Sequence, residues 1–174
     1  MGEPLLEHLK EGGLEVTAAE VKEGTLKRLQ KKYGFRTVAP DAIYGVECDI
    51  FCPCAIGGIL NDKTIRKLKC KLVAGCANNQ LEDEARHGRM LHEHGILYAP
   101  DYIINAGGVI QVIDEMKGYH PERVKMKTTR IFNRLLLIFE MAEREGILPL
   151  EAANRYAESR IREIHKVRRL YVPQ

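Results

Sequence analysis

Short apolar runs alternate with longer amphipathic ones through the first 120 residues. Residues 2–10 predict a helix stopped at Gly12-Gly13, and residues 14–19 predict a strand. Residues 25–33 put Leu26 and Leu29 on one face of a helix that stops at Gly34, since glycine readily takes the left-handed conformation that ends helices. Residues 35–38 read as a short strand, and residues 49–52 as another that closes at Pro53. Further strands are expected at 71–75 and 96–99, with a helix over 81–94 between them and His87, His92 and His94 on its solvated face. The apolar run at 102–105 predicts one more strand, leading into Gly107-Gly108. Strands separated by helices of this length imply βαβ units, so the fold class is α/β, a Rossmann-like parallel sheet with helices on both faces.

The pattern then changes. Residues 121–145 carry Val124, Ile131, Leu135, Ile138 and Ala142 at helical spacing, and residues 150–170 carry Leu150, Ala153, Ala157, Ile161 and Ile164 in the same way. Pro149 suits the opening of the second helix. The chain therefore divides into an α/β domain over residues 1–120 and a C-terminal helical hairpin over 121–174 packed on it. Phe132, Leu135, Leu136, Leu137, Ile138 and Phe139 form a band too wide for one neighbour, which implies a homo-oligomer with Leu136 or Phe139 at its contact.

Composition narrows the functional classes. A net charge of +3 over 174 residues gives no reason to expect nucleic acid, and basic residues lie among acidic ones, as between Glu158 and Arg169. No apolar run is long enough to span a membrane, and the start has no apolar signal core. Five cysteines, three of them at Cys48, Cys52 and Cys54, fit a reducing cytoplasm better than a disulfide framework. Their spacing lacks the paired C-x-x-C of structural zinc sites, so no metal is expected.

Parallel sheets bind ligands outside the carboxyl ends of their strands. Here those ends carry Glu20, Pro53-Cys54-Ala55, Gly75-Cys76-Ala77-Asn78 and Asn105-Ala106-Gly107-Gly108. An acid at Glu20 can accept hydrogen bonds from ribose hydroxyls and repel an added phosphate; the alternative is a solvated acid at a strand end. Ala55, Ala77 and the glycines let the backbone approach a flat ligand. Asn78 and Asn105 can donate and accept at once, although turn chemistry or helix capping would also select asparagine.

Taken in order, Tyr44-Gly45-Val46-Glu47-Cys48-Asp49-Ile50-Phe51, Pro53-Cys54-Ala55-Ile56-Gly57-Gly58, Gly75-Cys76-Ala77-Asn78-Asn79-Gln80-Leu81 and Tyr98-Ala99-Pro100-Asp101-Tyr102-Ile103-Ile104-Asn105-Ala106-Gly107-Gly108-Val109 resemble the cofactor domain of the glutamate/leucine/phenylalanine/valine dehydrogenase family, in its leucine dehydrogenase branch. Ala152-Ala153-Asn154-Arg155-Tyr156-Ala157-Glu158 extends the resemblance towards the end. It implies NAD as cofactor, with Gly2, Glu20, Cys54, Ala55, Ala77, Asn78 and Asn105 around it, Asn105 near the nicotinamide and Asn78 near its ribose. By the same resemblance Gly2 matches the third glycine of the G-x-G-x-x-G fingerprint.

The first strand, the first two fingerprint glycines and the family's substrate-binding domain have no counterpart in the sequence. No catalytic residue is therefore assigned, an amino-acid substrate is expected only if that domain is supplied, and NAD binding is expected to be weak. The implied reaction is oxidative deamination of a branched-chain or apolar L-amino acid. The alternative is a non-catalytic nucleotide- or partner-binding module derived from such an enzyme.

Overall fold

A computed structural model describes residues 2–170, with side chains described through residue 166. Helix α1 (Gly2–Glu11) leads to strand β1 (Thr17–Ala18), helix α2 (Glu23–Tyr33) and strand β2 (Arg36–Thr37). After a 3-10 turn at Ile43–Gly45 come β3 (Ile50–Phe51), α3 (Asp62–Ile65), β4 (Leu72–Val73), α4 (Glu84–Glu93) and β5 (Leu97–Tyr98). Helices α5 (Asp101–Ile104), α6 (Gly107–Glu115), α7 (Pro121–Glu145) and α8 (Pro149–Leu170) follow.

All strand pairing is parallel. β1 pairs with β2, and separately β3-β4-β5 form a three-stranded sheet with Ile50 opposite Leu72 and Leu72 opposite Leu97. The strands are shorter than their apolar runs, and the two sheets are not joined by strand pairing among the described residues. The main core lies on the three-stranded sheet, where Phe51, Val73 and Tyr98 meet Leu60, Ile65, Leu81, Leu91 and Ile96. Register sets this core. Phe51 and Val73 are opposite one another, as are Val73 and Tyr98, so all three side chains fall on one buried face.

Two expectations fail. Residues 102–105 do not form a strand; Asp101–Ile104 is a helical turn in which Ile103 and Ile104 donate to the Pro100 carbonyl at 3.0 and 3.1 Å. The Asp101 carboxylate accepts from the backbone N–H of Tyr102 at 2.9 Å, favouring the turn over extension. Gly107-Gly108 opens α6 instead of ending a strand. His87 is the second correction: it is buried beside Gly88 and Leu91 on the inner face of α4, and its Nδ1 accepts from the N–H of Asp83 at 2.9 Å. His92 and His94 are exposed.

The hairpin lies on the chain's own sheet. Gly146, at φ 62°, ends α7 in the left-handed conformation and turns the chain into α8. Leu150 then enters the main core, close enough to α4 that a Cβ on Gly88 would stand 3.7 Å from it. Ile138 and Ala142 of α7 pack on the fully buried Ala152 and Ala153 of α8, with Ile103 of α5 alongside. Ile131 and Leu135 pack on Ala99 at the end of β5, and Phe139 joins that cluster. The wide apolar band therefore splits: Leu135 and Ile138 are buried, whereas Phe132, Leu136 and Leu137 remain exposed.

Candidate functional site

Three segments converge beyond the carboxyl ends of β3, β4 and β5. Pro53 and Gly75 touch backbone to backbone, since a Cβ on Gly75 would overlap the Pro53 backbone N and O. Ala77 continues this contact by donating its N–H to the Pro53 carbonyl at 3.0 Å. A second close approach lies one turn along, where a Cβ on Gly57 would come within 2.9 Å of the Asn78 carbonyl. The N–H of Gly58 donates to the Asn79 carbonyl at 2.7 Å. Only glycine fits positions 57 and 75 without moving backbone, which is why the two loops can lie flat together.

Gln80 fixes the second loop from within. It is fully buried and donates from Nε2 to the carbonyls of Gly75 and Ala77 at 2.8 and 3.0 Å, while its backbone N–H reaches the Asp101 carboxylate at 3.2 Å. Asn79, at φ 50°, takes the left-handed conformation that asparagine tolerates. Asn105, at the end of α5, donates from Nδ2 to Asn78 Oδ1 at 2.6 Å and reaches the Ala77 carbonyl at 3.5 Å. With that bond made, Asn78 Nδ2 and Asn105 Oδ1 still offer one donor and one acceptor.

The structure thus gathers Cys54, Ala77, Asn78 and Asn105 at one sheet edge, with Ala55 exposed in the same loop. Gly2 belongs to this group too: a Cβ at Gly2 would lie 3.6 Å from Cys54 Cβ, placing the start of α1 against the end of β3. Glu20 follows β1 and accepts from the N–H of Lys22 at 3.0 Å; no hydrogen bond joins it to the other residues. Two contributors escaped the sequence reading as site residues, namely Gln80 and Asp101. Each lay inside a quoted motif, but Gln80 acts by bracing the Gly75 and Ala77 carbonyls, and Asp101 by accepting the Gln80 N–H from 21 residues away.

The Cys54 thiol lies 3.5 Å from that of Cys76 and donates to the Cys52 carbonyl at 3.3 Å. Burial, followed by the neighbouring Cys76, pushes Cys54 up to about 12, and burial pushes Cys52 up to about 11. Neither is an ionised nucleophile near neutrality. Among the described residues no group of three His, Cys, Asp or Glu side chains is gathered to hold a metal ion.

The paired asparagine amides therefore stand beyond the carboxyl ends of β3 and β4, next to two loops packed backbone to backbone, with a donor and an acceptor left over. The sequence also matches the family model described as Glutamate/Leucine/Phenylalanine/Valine dehydrogenase over residues 10–169. The chain belongs to this family. It is 50% identical to the leucine dehydrogenase of Thermoactinomyces intermedius over 97% of its own length and 46% of that protein's. With the phenylalanine dehydrogenase of Bacillus thermotolerans the identity is 48%, covering 93% of this chain and 44% of the relative. The crystal structure of L-tryptophan dehydrogenase from Nostoc punctiforme superposes with a TM-score of 0.91 at 44% identity, over 93% of this chain and 49% of that one. The chain spans about half the length of the curated relatives it matches.

Proposed function

We propose that this chain is the NAD-binding portion of an amino-acid dehydrogenase of the leucine dehydrogenase type. The single observation that carries the reading is the amide pair Asn78–Asn105 beyond the ends of β3 and β4, beside loops that Gly57 and Gly75 let pack backbone to backbone. The donor and acceptor left free on that pair match the carbonyl and NH2 of a nicotinamide carboxamide, or a ribose hydroxyl. Gly2, Cys54, Ala55 and Ala77 form the floor, where small residues let the cofactor lie against backbone. Glu20 receives the adenosine ribose and disfavours a phosphate there. The parallel strands, with this site at their carboxyl ends, support a Rossmann-like arrangement over residues 1–120, with the hairpin of 121–174 as its support.

When bound, NAD would supply a hydride acceptor for the oxidative deamination of an L-amino acid to its 2-oxo acid and ammonia. The residues described here hold and orient the cofactor, and the groups that move protons on the substrate are assigned to a separate substrate-binding region. The substrate class is a branched-chain or other apolar L-amino acid, by similarity to relatives named leucine and phenylalanine dehydrogenase. The reading places the protein in the cytoplasm and, from the exposed residues of α7, in a homo-oligomer.

The test is saturation-transfer NMR of the chain with millimolar NAD. Nicotinamide and ribose protons should receive saturation, Glu20→Ala should reduce it, and NADP should give less than NAD. Equal signals for both nucleotides, or none, would overturn the cofactor assignment. Measuring NAD reduction with leucine, valine and phenylalanine then tests the substrate class, and a chain that binds NAD without turnover would point to the non-catalytic module.

A further inference from the structure

The parallel pairing of β3 and β4 sets a register that continues past the strands. Phe51 is opposite Val73, and Cys54 and Cys76 keep that same 22-residue offset three positions further on. The contact between Pro53 and Gly75 holds the two strand ends together at that level, and the thiols meet at 3.5 Å. Adjacent strands stand about 4.8 Å apart, within the ~4.4–6.8 Å between α-carbons that a disulfide spans. Cys48 and Cys70 share the offset before the strands, but they pack against the main core.

We propose that Cys54 and Cys76 form an oxidisable thiol pair, closing to a disulfide under a peroxide and thereby weakening nucleotide binding at the site that Cys54 helps to floor. The regulatory half rests on the nucleotide reading above. One thiolate attacks a peroxide oxygen, breaking the O–O bond and giving a sulfenic acid and one water. The second thiol displaces the sulfenic oxygen as another water, forming the S–S bond. Two thiols are oxidised by two electrons and one hydrogen peroxide is reduced to two waters. Burial and the adjacent Cys76 hold Cys54 protonated near neutrality.

The Cys54 Cβ faces the start of α1, where a Cβ on Gly2 would stand 3.6 Å away, and Pro53 beside it accepts the Ala77 N–H. Drawing the sulfurs from 3.5 Å to a bond of about 2 Å moves Cys54 relative to both contacts.

The test treats the reduced protein with hydrogen peroxide, alkylates the remaining thiols and maps disulfide-linked peptides without reduction. Of the five cysteines, Cys54 and Cys76 should be linked and the other three alkylated. Linkage of Cys48 to Cys70 instead, or over-oxidation without a link, would overturn the pair. Cys76→Ser should abolish the link, with circular dichroism confirming that the variant is folded. NAD affinity of the linked protein should fall by about 5-fold or more, recover with dithiothreitol, and be insensitive to peroxide in Cys76→Ser. A linked protein that binds NAD as tightly as the reduced one would overturn the gating. Failure of the reduced protein to bind NAD would sink the nucleotide reading and the gating together, while the mapped link would still decide the thiol pair by mass.

Discussion

Asn105 Nδ2 stands 2.6 Å from Asn78 Oδ1, joining the end of α5 to the loop after β4. This bond fixes Asn78 Oδ1 and leaves the Asn78 NH2 and Asn105 Oδ1 without partners among the described residues. Asn105→Ala removes both the orienting donor and one ligand acceptor. With a net hydrogen bond worth about 0.5–1.5 kcal/mol, NAD affinity should fall roughly 2- to 10-fold while thermal stability barely moves. Asn105→Asp keeps the size but cannot donate, so it should lose as much. Full binding by the aspartate variant, measured by the same NMR titration, would show that the amide donor is not what orients the site.

The Pro53–Gly75 contact makes a stability prediction. Gly75→Ala sets a methyl group against the Pro53 backbone, which cannot swing away as a side chain could. Overpacking costs about 1–3 kcal/mol, and the backbone location puts this case near the top of that range. Gly24→Ala is the matched control, because a Cβ there meets open space in the first turn of α2. That change should be neutral or stabilise by up to ~1 kcal/mol. Urea unfolding of both variants checks the pair. A Gly75→Ala protein as stable as its parent would mean that the two strand ends are free to separate.

Much of this arrangement could be read from sequence because it depends on period and punctuation. The strands at Ile50–Phe51, Leu72–Val73 and Leu97–Tyr98 fall within apolar runs bounded by polar or turn residues, and α7 begins and ends at the residues its pattern marked. The run Tyr102-Ile103-Ile104 misled because a short apolar stretch suits a buried strand and a buried helical turn equally. The clue that favours a helix is Pro100-Asp101, a restricted residue followed by an acid in the first turn. His87 misled for a different reason. A histidine among charged residues reads as solvated, and its burial follows from the side of α4 that Gly88 and Leu91 turn inward. Gln80 could not be assigned a site role locally, since it acts by bracing the Gly75 and Ala77 carbonyls of its own loop and by its N–H bond to Asp101.

Acid should loosen the junction between α6 and α7. Asp114 is fully buried and accepts from Arg123 Nε at 2.5 Å and Nη2 at 2.9 Å, from Lys127 at 3.2 Å and from the N–H of His120 at 2.9 Å. The Arg123 guanidinium, helped by the His120 N–H and Lys127, holds its carboxyl far below the ordinary value of 3.8 against the opposing effect of burial. A carboxylate whose folded value is depressed stabilises fully above its unfolded value and loses that contribution as pH falls through the folded one. Stability should therefore decline below about pH 4. Asp114→Asn should lower the melting temperature at pH 7 and flatten this decline. A variant with the parental slope between pH 4 and 2 would assign the acid sensitivity to other carboxylates.

Helix α7 presents two apolar faces. Its inner row, Ile131, Leu135, Ile138 and Ala142, is buried against the sheet and α8. Phe132 and Leu136, one helical turn apart, lie on a different face with 66% and 42% of their surfaces exposed, and Leu137 is 52% exposed. The hairpin thus covers its own core and still presents large apolar side chains. Phe139 packs with the inner cluster, so the contact between copies falls to Phe132 and Leu136. Burying a large side chain is worth roughly 1.5–3 kcal/mol, and a symmetric contact counts each residue twice. Sedimentation at micromolar concentration should show a homo-oligomer, with a dimer as the simplest form. Leu136→Glu should shift it to monomer without lowering helicity, because a carboxylate at this half-exposed position stays solvated in the monomer and is desolvated only at the interface. A parental chain that sediments solely as monomer across that range would end the prediction. An oligomer that survives Leu136→Glu would move the contact to another face.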